Sequence, residues 1–154
     1  MLEHRKTIRR LLWRWGRVQE FCAARQREID GFQELMDEAA DLQPPQTSGM
    51  PGGNLPGRPT EKAMLRAAAT ADKYRQTVDR IQKAIAKELD FKEAMDEAIN
   101  ELSLLQQRVL ELRYVNGFRW DFIAFKISAA EQTARSIETN AVEILSKKIK
   151  VERF

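Results

Sequence analysis

The sequence predicts an all-α protein: a long antiparallel helical hairpin, paired as a coiled coil, followed by a compact C-terminal set of three helices. Three observations predict this. Apolar residues recur at spacings of three and four through two stretches of about 40 residues each, the signature of paired helices. One Pro- and Gly-rich break separates those stretches, and formal charge reverses sign along each. From Leu102 onward the apolar spacing shortens into compact helices. The expected organisation is a hairpin over residues 1–101 with a flexible loop at 43–59, then a second domain over 102–154.

In the first helix the apolar series is Ile8, Leu11, Trp15, Val18, Cys22, Ile29, Phe32, Met36 and Ala39, with Arg25 as the one charged interruption. In the second it is Met64, Ala67, Ala71, Tyr74, Val78, Ile81 and Ile85. At 1.5 Å per residue each helix reaches roughly 60 Å. Residues 43–59 hold all five prolines, four of the seven glycines and one charge, Arg58. Such a density of Pro and Gly supports neither helix nor strand. Thr60, directly after Pro59, is the expected N-cap of the second helix.

Charge sets the direction of pairing. Residues 5–17 hold six basic groups and no acid, while residues 28–41 hold six acids and no base. The second helix is mainly basic over 62–87 and carries six acids against one Lys over 88–101. Parallel helices would oppose like charges at both ends; antiparallel helices oppose unlike ones throughout. Each exposed pair contributes little, so charge specifies orientation and the apolar seam supplies cohesion. Cys22 reads as a small seam residue, and Trp15 and Phe32 as core. The basic run at 5–17 reads first as a face paired with 88–101, and second as a phosphate- or membrane-binding patch.

Composition narrows function. The chain has 154 residues, 43% hydrophobic and 32% charged, with a net charge of +3. That balance suits a folded helical protein. The pI near 9.1 is compatible with an anionic partner. A lone cysteine excludes an internal disulfide framework and fits a reducing, cytoplasmic compartment. The N-terminal apolar run Leu11–Trp13 is broken by Arg14 and Arg17, so neither a signal peptide nor a membrane span is expected. One histidine (His4), one cysteine and no ligand spacing give no metal site, no cofactor and no catalytic residues; an enzyme is not expected.

The C-terminal segment carries the functional signal. LSLLQQRVLELRY reads as an amphipathic helix capped by Ser103, burying Leu102, Leu105, Val109 and Leu112, and Asn116–Gly117 ends it in a turn needing positive φ. Residues 119–145 then fit two helices crossing through a tight turn. Ile123, Ala124 and Ile127 face inward from the first, Ala129 sits in the turn, and Ala134, Ile137, Ala141 and Leu145 face inward from the second. A small residue at the crossing with these offsets is what a helix-turn-helix requires. Trp120 opens the first helix and reads as packing.

Leu102–Leu145 resembles sigma-factor region 4, through its Val-Leu-x-Leu-Arg-Tyr, the following Gly, Ile-Ala and Thr-Ala-Arg-x-Ile. The whole chain is similar to phage and mobile-element transcriptional regulators of the RinA and ArpU type, which join a helical N-terminal region to such a motif. Ser48–Pro51 is a shared feature. The chain departs from the pattern in having Ser128 where Gly is usual, Ala130 and Arg119 where Ser or Thr caps are usual, and an acid, Glu131, at the start of the second helix.

The resemblance implies a regulator that reads duplex DNA in the major groove. Outward residues Glu131, Gln132, Arg135, Ser136 and Thr139 would carry readout, Gln132 matching adenine and Arg135 matching guanine or reaching a phosphate. Arg113, Arg119 and Lys126 would meet the backbone, and Lys147, Lys148, Lys150 and Arg153 would add attraction. Residues 102–154 hold nine basic against six acidic groups, equal to the excess charge of the chain. One motif is a small interface, so a homodimer through the hairpin, or contact with RNA polymerase, is expected. The rival readings are a phage DNA-packaging protein of the small-terminase kind and a coiled-coil adaptor that binds protein alone.

Overall fold

The structure, a computed structural model, describes residues 2–41 and 61–154. The 43–59 loop and the Thr60 cap lie outside these residues. The described chain is helical and contains no strand. Its elements are α1 (Leu2–Gly16), α2 (Val18–Asp41), α3 (Glu61–Asn100), α4 (Leu104–Leu110) continued by a π-helical turn (Glu111–Val115), α5 (Trp120–Lys126), α6 (Glu131–Lys148) and a closing 3₁₀ turn (Val151–Arg153). No described helix is long and apolar enough to cross a membrane.

The chain forms two compact units. One comprises Ala23–Ile85, the other Met1–Cys22 together with Ala86–Phe154. In the first, Ile29 and Val78 are buried and the Phe32 and Tyr74 rings meet at 5.5 Å. The expected seam is less complete toward the loop. Ala39, Met64 and Ala67 are exposed, as is every residue from 61 to 70.

The second unit joins both ends of the sequence. Ile8, Leu12, Val18, Phe91, Met95 and Ile99 share one core with Leu102, Leu110, Tyr114, Ala141, Val142 and Leu145. A second cluster of Val109, Leu112, Ile123, Ala124 and Ala134 lies under α5. Packing therefore crosses the boundary expected at 101/102, because α1 contacts α6 and the π turn. The buried stripe of α1 is Ile8 and Leu12, at a spacing of four, while Leu11 is half-buried.

Register within α4 also differs from the simple helical stripe. Leu105, expected inside, is exposed, whereas Leu110 and Tyr114 are buried. Ser103 caps the helix as expected, its side chain accepting from the Gln106 amide in a capping box. The π turn then widens the spiral, with the Asn116 N–H donating to the Glu111 carbonyl. The extra residue per turn shifts the register and brings Leu112 and Tyr114 inside together. Gly117 closes the element at φ +69°, the positive value expected of it.

Gly16 explains how α1 comes so close. A Cβ placed there would lie 2.0 Å from the Tyr114 carbonyl oxygen and 2.6 Å from its carbon. The end of α1 thus packs backbone against backbone on the π turn, an approach that only glycine permits. Gly16→Ala is expected to destabilise this unit by about 1–3 kcal/mol despite alanine's better helix propensity, because backbone must move to admit the methyl group. Urea unfolding followed by Trp fluorescence checks this; an unchanged or raised midpoint would refute it.

Candidate nucleic-acid interface

The outer face of α6 is built by exclusion. Ala134, Ala141, Val142 and Leu145 turn inward and are buried, which leaves Glu131, Gln132, Arg135 and Ser136 exposed and Thr139 half-buried along one side. At 100° per residue these five fall within one arc of less than half the helix circumference. The structure thus brings the five expected readout residues onto one face. Arg135 lies in an ion pair with Glu131 at 2.9 Å, and its guanidinium sits 5.5 Å from the Trp120 ring centroid. The Thr139 hydroxyl donates to the Arg135 carbonyl.

The residues expected to meet the backbone are placed differently from one another. The Arg119 side chain is 88% exposed and 3.6 Å from Asp121. Lys126 is exposed on α5, its Nζ 5.3 Å from the Phe122 ring centroid. Arg113 is half-buried and engaged within the fold. It donates to the Phe118 carbonyl and lies over the rings of Trp13 and Trp120. Trp120 is partly buried against the cluster under α5, as packing.

The turn between α5 and α6 spans residues 127–130. Ser128 takes φ +54°, the left-handed conformation that glycine adopts most cheaply. The Ala129 N–H reaches back to the Ala124 carbonyl. Neither Arg119 nor Ala130, the residues preceding α5 and α6, makes a side-chain capping bond.

The inner side of α6 holds a group that the apolar pattern hides. Glu138 lies on the buried stripe and is 3% exposed. Arg9 of α1 grips its carboxylate with two bonds, Nε to Oε1 at 2.9 Å and Nη2 to Oε2 at 3.0 Å. The Tyr114 hydroxyl donates to Oε1 at 2.6 Å. Burial first, then the hydrogen bond to Glu138 and its charge, push the Tyr114 phenol well above its ordinary range. Tyr114 is also stacked edge-on against Trp13 at 4.9 Å. Sequence reasoning missed this site, although the signal was present: a glutamate amid Ala134, Ala141 and Leu145 interrupts an otherwise apolar stripe and demands a cation.

Other basic groups of α1 divide between two elements. Arg14 binds Glu88 through two bonds of 2.8 and 2.7 Å and covers the Phe91 ring at 3.9 Å, and Trp15 Nε1 donates to Asp96 at 2.7 Å. Arg5 instead lies 3.6 Å from Glu143 on α6. The basic run therefore pairs in part with 88–101, as expected, and in part with α6. Burial raises the Cys22 thiol above its usual range, as befits a packed residue.

Compared with known proteins, the chain matches no family model, no curated protein and no solved structure.

Two outcomes follow from these contacts. The folded-state phenol of Tyr114 keeps its proton at pH values where the unfolded one, with an ordinary value of 10.0, has lost it. Its stabilising contribution is complete below about pH 10 and is lost as pH climbs through the folded value. The stability difference between wild type and Tyr114→Phe should shrink as urea titrations move above pH 10; a constant difference would remove Tyr114 from the network. Ser128→Gly should raise stability by up to about 1 kcal/mol, since relief of left-handed strain exceeds the entropy that glycine adds. A lower melting temperature would show that the Ser128 side chain is itself needed.

Proposed function

We propose that α5 and α6 act as a helix-turn-helix binding duplex DNA, with α6 in the major groove, and that the protein is a transcriptional regulator of the sigma region 4-like phage type. The observation that carries this reading is the two-sidedness of α6. Its inner side is fixed by Ala134, Ala141, Leu145 and the Glu138 network, while its outer side presents Gln132, Arg135 and Ser136 to solvent. Amide and guanidinium groups offer the paired donors and acceptors that base edges require.

Arg135 exchanges Glu131 for a base in this scheme. An exposed ion pair of adjacent helical turns contributes only about 0.3–0.5 kcal/mol, so the exchange is cheap. Arg119 supplies backbone attraction, and the C-terminal Lys147, Lys150 and Arg153 add to it. Arg113, engaged by Phe118 and two tryptophans, supports the fold and is left out of the contact set. The exposed Met64 and Leu65 of α3 support self-association through the hairpin, which would supply a second motif.

Fluorescence anisotropy with duplex fragments from upstream of the protein's own coding region tests the reading. Gln132→Ala and Arg135→Ala should each lose roughly 1–3 kcal/mol of discrimination at a particular base pair. Arg119→Ala should weaken binding to all sequences and flatten the salt dependence by about one unit of slope. Glu131→Gln should tighten non-specific binding by removing a charge that repels phosphate. Absence of salt-dependent duplex binding in the full-length protein would overturn the proposal in favour of a protein-binding adaptor.

A further inference from the structure

The basic run at the start of the chain divides into two sets. Arg5, Arg9 and Arg14 turn toward the fold and meet Glu143, Glu138 and Glu88. Lys6, Arg10 and Arg17 are exposed, and none of the three is in an ion pair among the described residues. Residues 4–19 contain no acid. The nearest acids along the chain, Glu3 and Glu20, are exposed beyond the two ends of this set.

The three free cations lie on one line. Lys6, Arg10 and Trp13 follow one another at spacings of four and three, which places them on one stripe of α1. Arg17, the residue after the helix, extends it, with its guanidinium 5.8 Å from the Trp13 ring centroid. From Lys6 to Arg17 the stripe is about 16 Å long. It continues beyond α1. Arg113 lies 5.5 Å from the Trp13 centroid and 5.0 Å from that of Trp120, and Arg135 stands 5.5 Å from the Trp120 centroid. The row Arg17–Trp13–Arg113–Trp120–Arg135 thus joins the α1 stripe to the outward face of α6.

Like charges one turn apart repel, a cost that a bound polyanion removes. Two features choose the polyanion. The apolar stripe of α1, Ile8 and Leu12, is wholly buried, so the helix has no apolar face to sink into a lipid surface. Trp13 and Trp120 are half-buried with guanidinium groups already over their rings, so they do not offer platforms for single-stranded bases. A duplex backbone needs neither; its phosphates ask only for spaced cations. We propose that Lys6, Arg10 and Arg17 bind the phosphate backbone of the duplex whose bases α6 reads, on the flank of that site. The proposal rests on the reading of α6 as a DNA-binding helix and extends its footprint to the N-terminal helix.

Duplex binding by the full-length protein, measured by fluorescence anisotropy over a range of salt, provides the test. Lys6→Ala, Arg10→Ala and Arg17→Ala should each flatten the salt dependence by about one unit of slope and weaken binding by up to about tenfold at about 0.1 M salt. The triple variant should lose about three units of slope yet keep the base discrimination of Gln132 and Arg135. Its helical content by circular dichroism should be that of wild type, since the replaced side chains are exposed. Trimming the duplex toward the α6 site should erase the difference between the two proteins. Arg27→Ala/Lys73→Ala/Arg80→Ala removes the same charge from exposed positions of α2 and α3 and should leave the slope unchanged. A triple α1 variant whose slope matches wild type, or falls no further than that of this control, overturns the proposal and leaves the reading of α6 intact. Absence of any salt-dependent duplex binding by wild type overturns both. Loss of binding to phosphatidylserine vesicles in the triple variant, with duplex binding unchanged, overturns the proposal and makes the stripe a membrane contact.

Discussion

A carboxylate cannot stay charged inside a protein without a cation and hydrogen-bond donors, and Glu138 is 3% exposed. Much of the second unit is arranged around that requirement. Arg9 meets it from α1 and Tyr114 from the π turn. For Arg9 to arrive, α1 must lie along α6; for Tyr114 to arrive, the helix after Leu110 must unwind by one residue per turn. Gly16 then permits the two satisfying elements to touch each other through their backbones. Each of these features is local in sequence, yet each has the same distant residue as its reason.

This arrangement bears on the proposed function through geometry. Apolar side chains hold a helix against a core but tolerate several rolls about its axis. A bidentate arginine–carboxylate bond tolerates one. Because Arg9 grips Glu138 from inside, the angular position of Gln132 and Arg135 outside is fixed relative to α1. Base readout depends on such angular control, since amide and guanidinium pairings are planar and directional. On the proposed function the N-terminal helix serves the C-terminal surface, although more than a hundred residues separate them.

The helical class and the local punctuation were legible because they depend on residues near one another. The cap at Ser103, the positive φ at Gly117 and the inward set Val109, Leu112, Ile123, Ala134 and Leu145 follow from spacing and residue type alone. What spacing hid was tertiary. A heptad grid treats α1 as the start of a hairpin, whereas its buried pair Ile8 and Leu12 share a core with α6. A regular 3.6-residue stripe put Leu105 inside and passed over Leu110 and Tyr114, because a π turn has no simple sequence signature. The outward set on α6 was readable; the network behind it was not, since Arg9 and Glu138 lie 129 positions apart.

The distribution of broken rules is itself informative. Around the second unit's main core the chain obeys folding preferences closely: a capping box at α4, glycine at the positive φ, glycine at the close approach, and partners for the buried charge. Around α5 it does not. Ser128 occupies a glycine's conformation, Arg119 and Ala130 leave helix starts without side-chain caps, and Phe122 and Phe125 meet water. Departures of this sort cost stability. Such departures are expected where a surface is kept for function. The exposed side of α5 and the outer face of α6 lie on neighbouring helices, so on the proposed function these departures border the face offered to DNA.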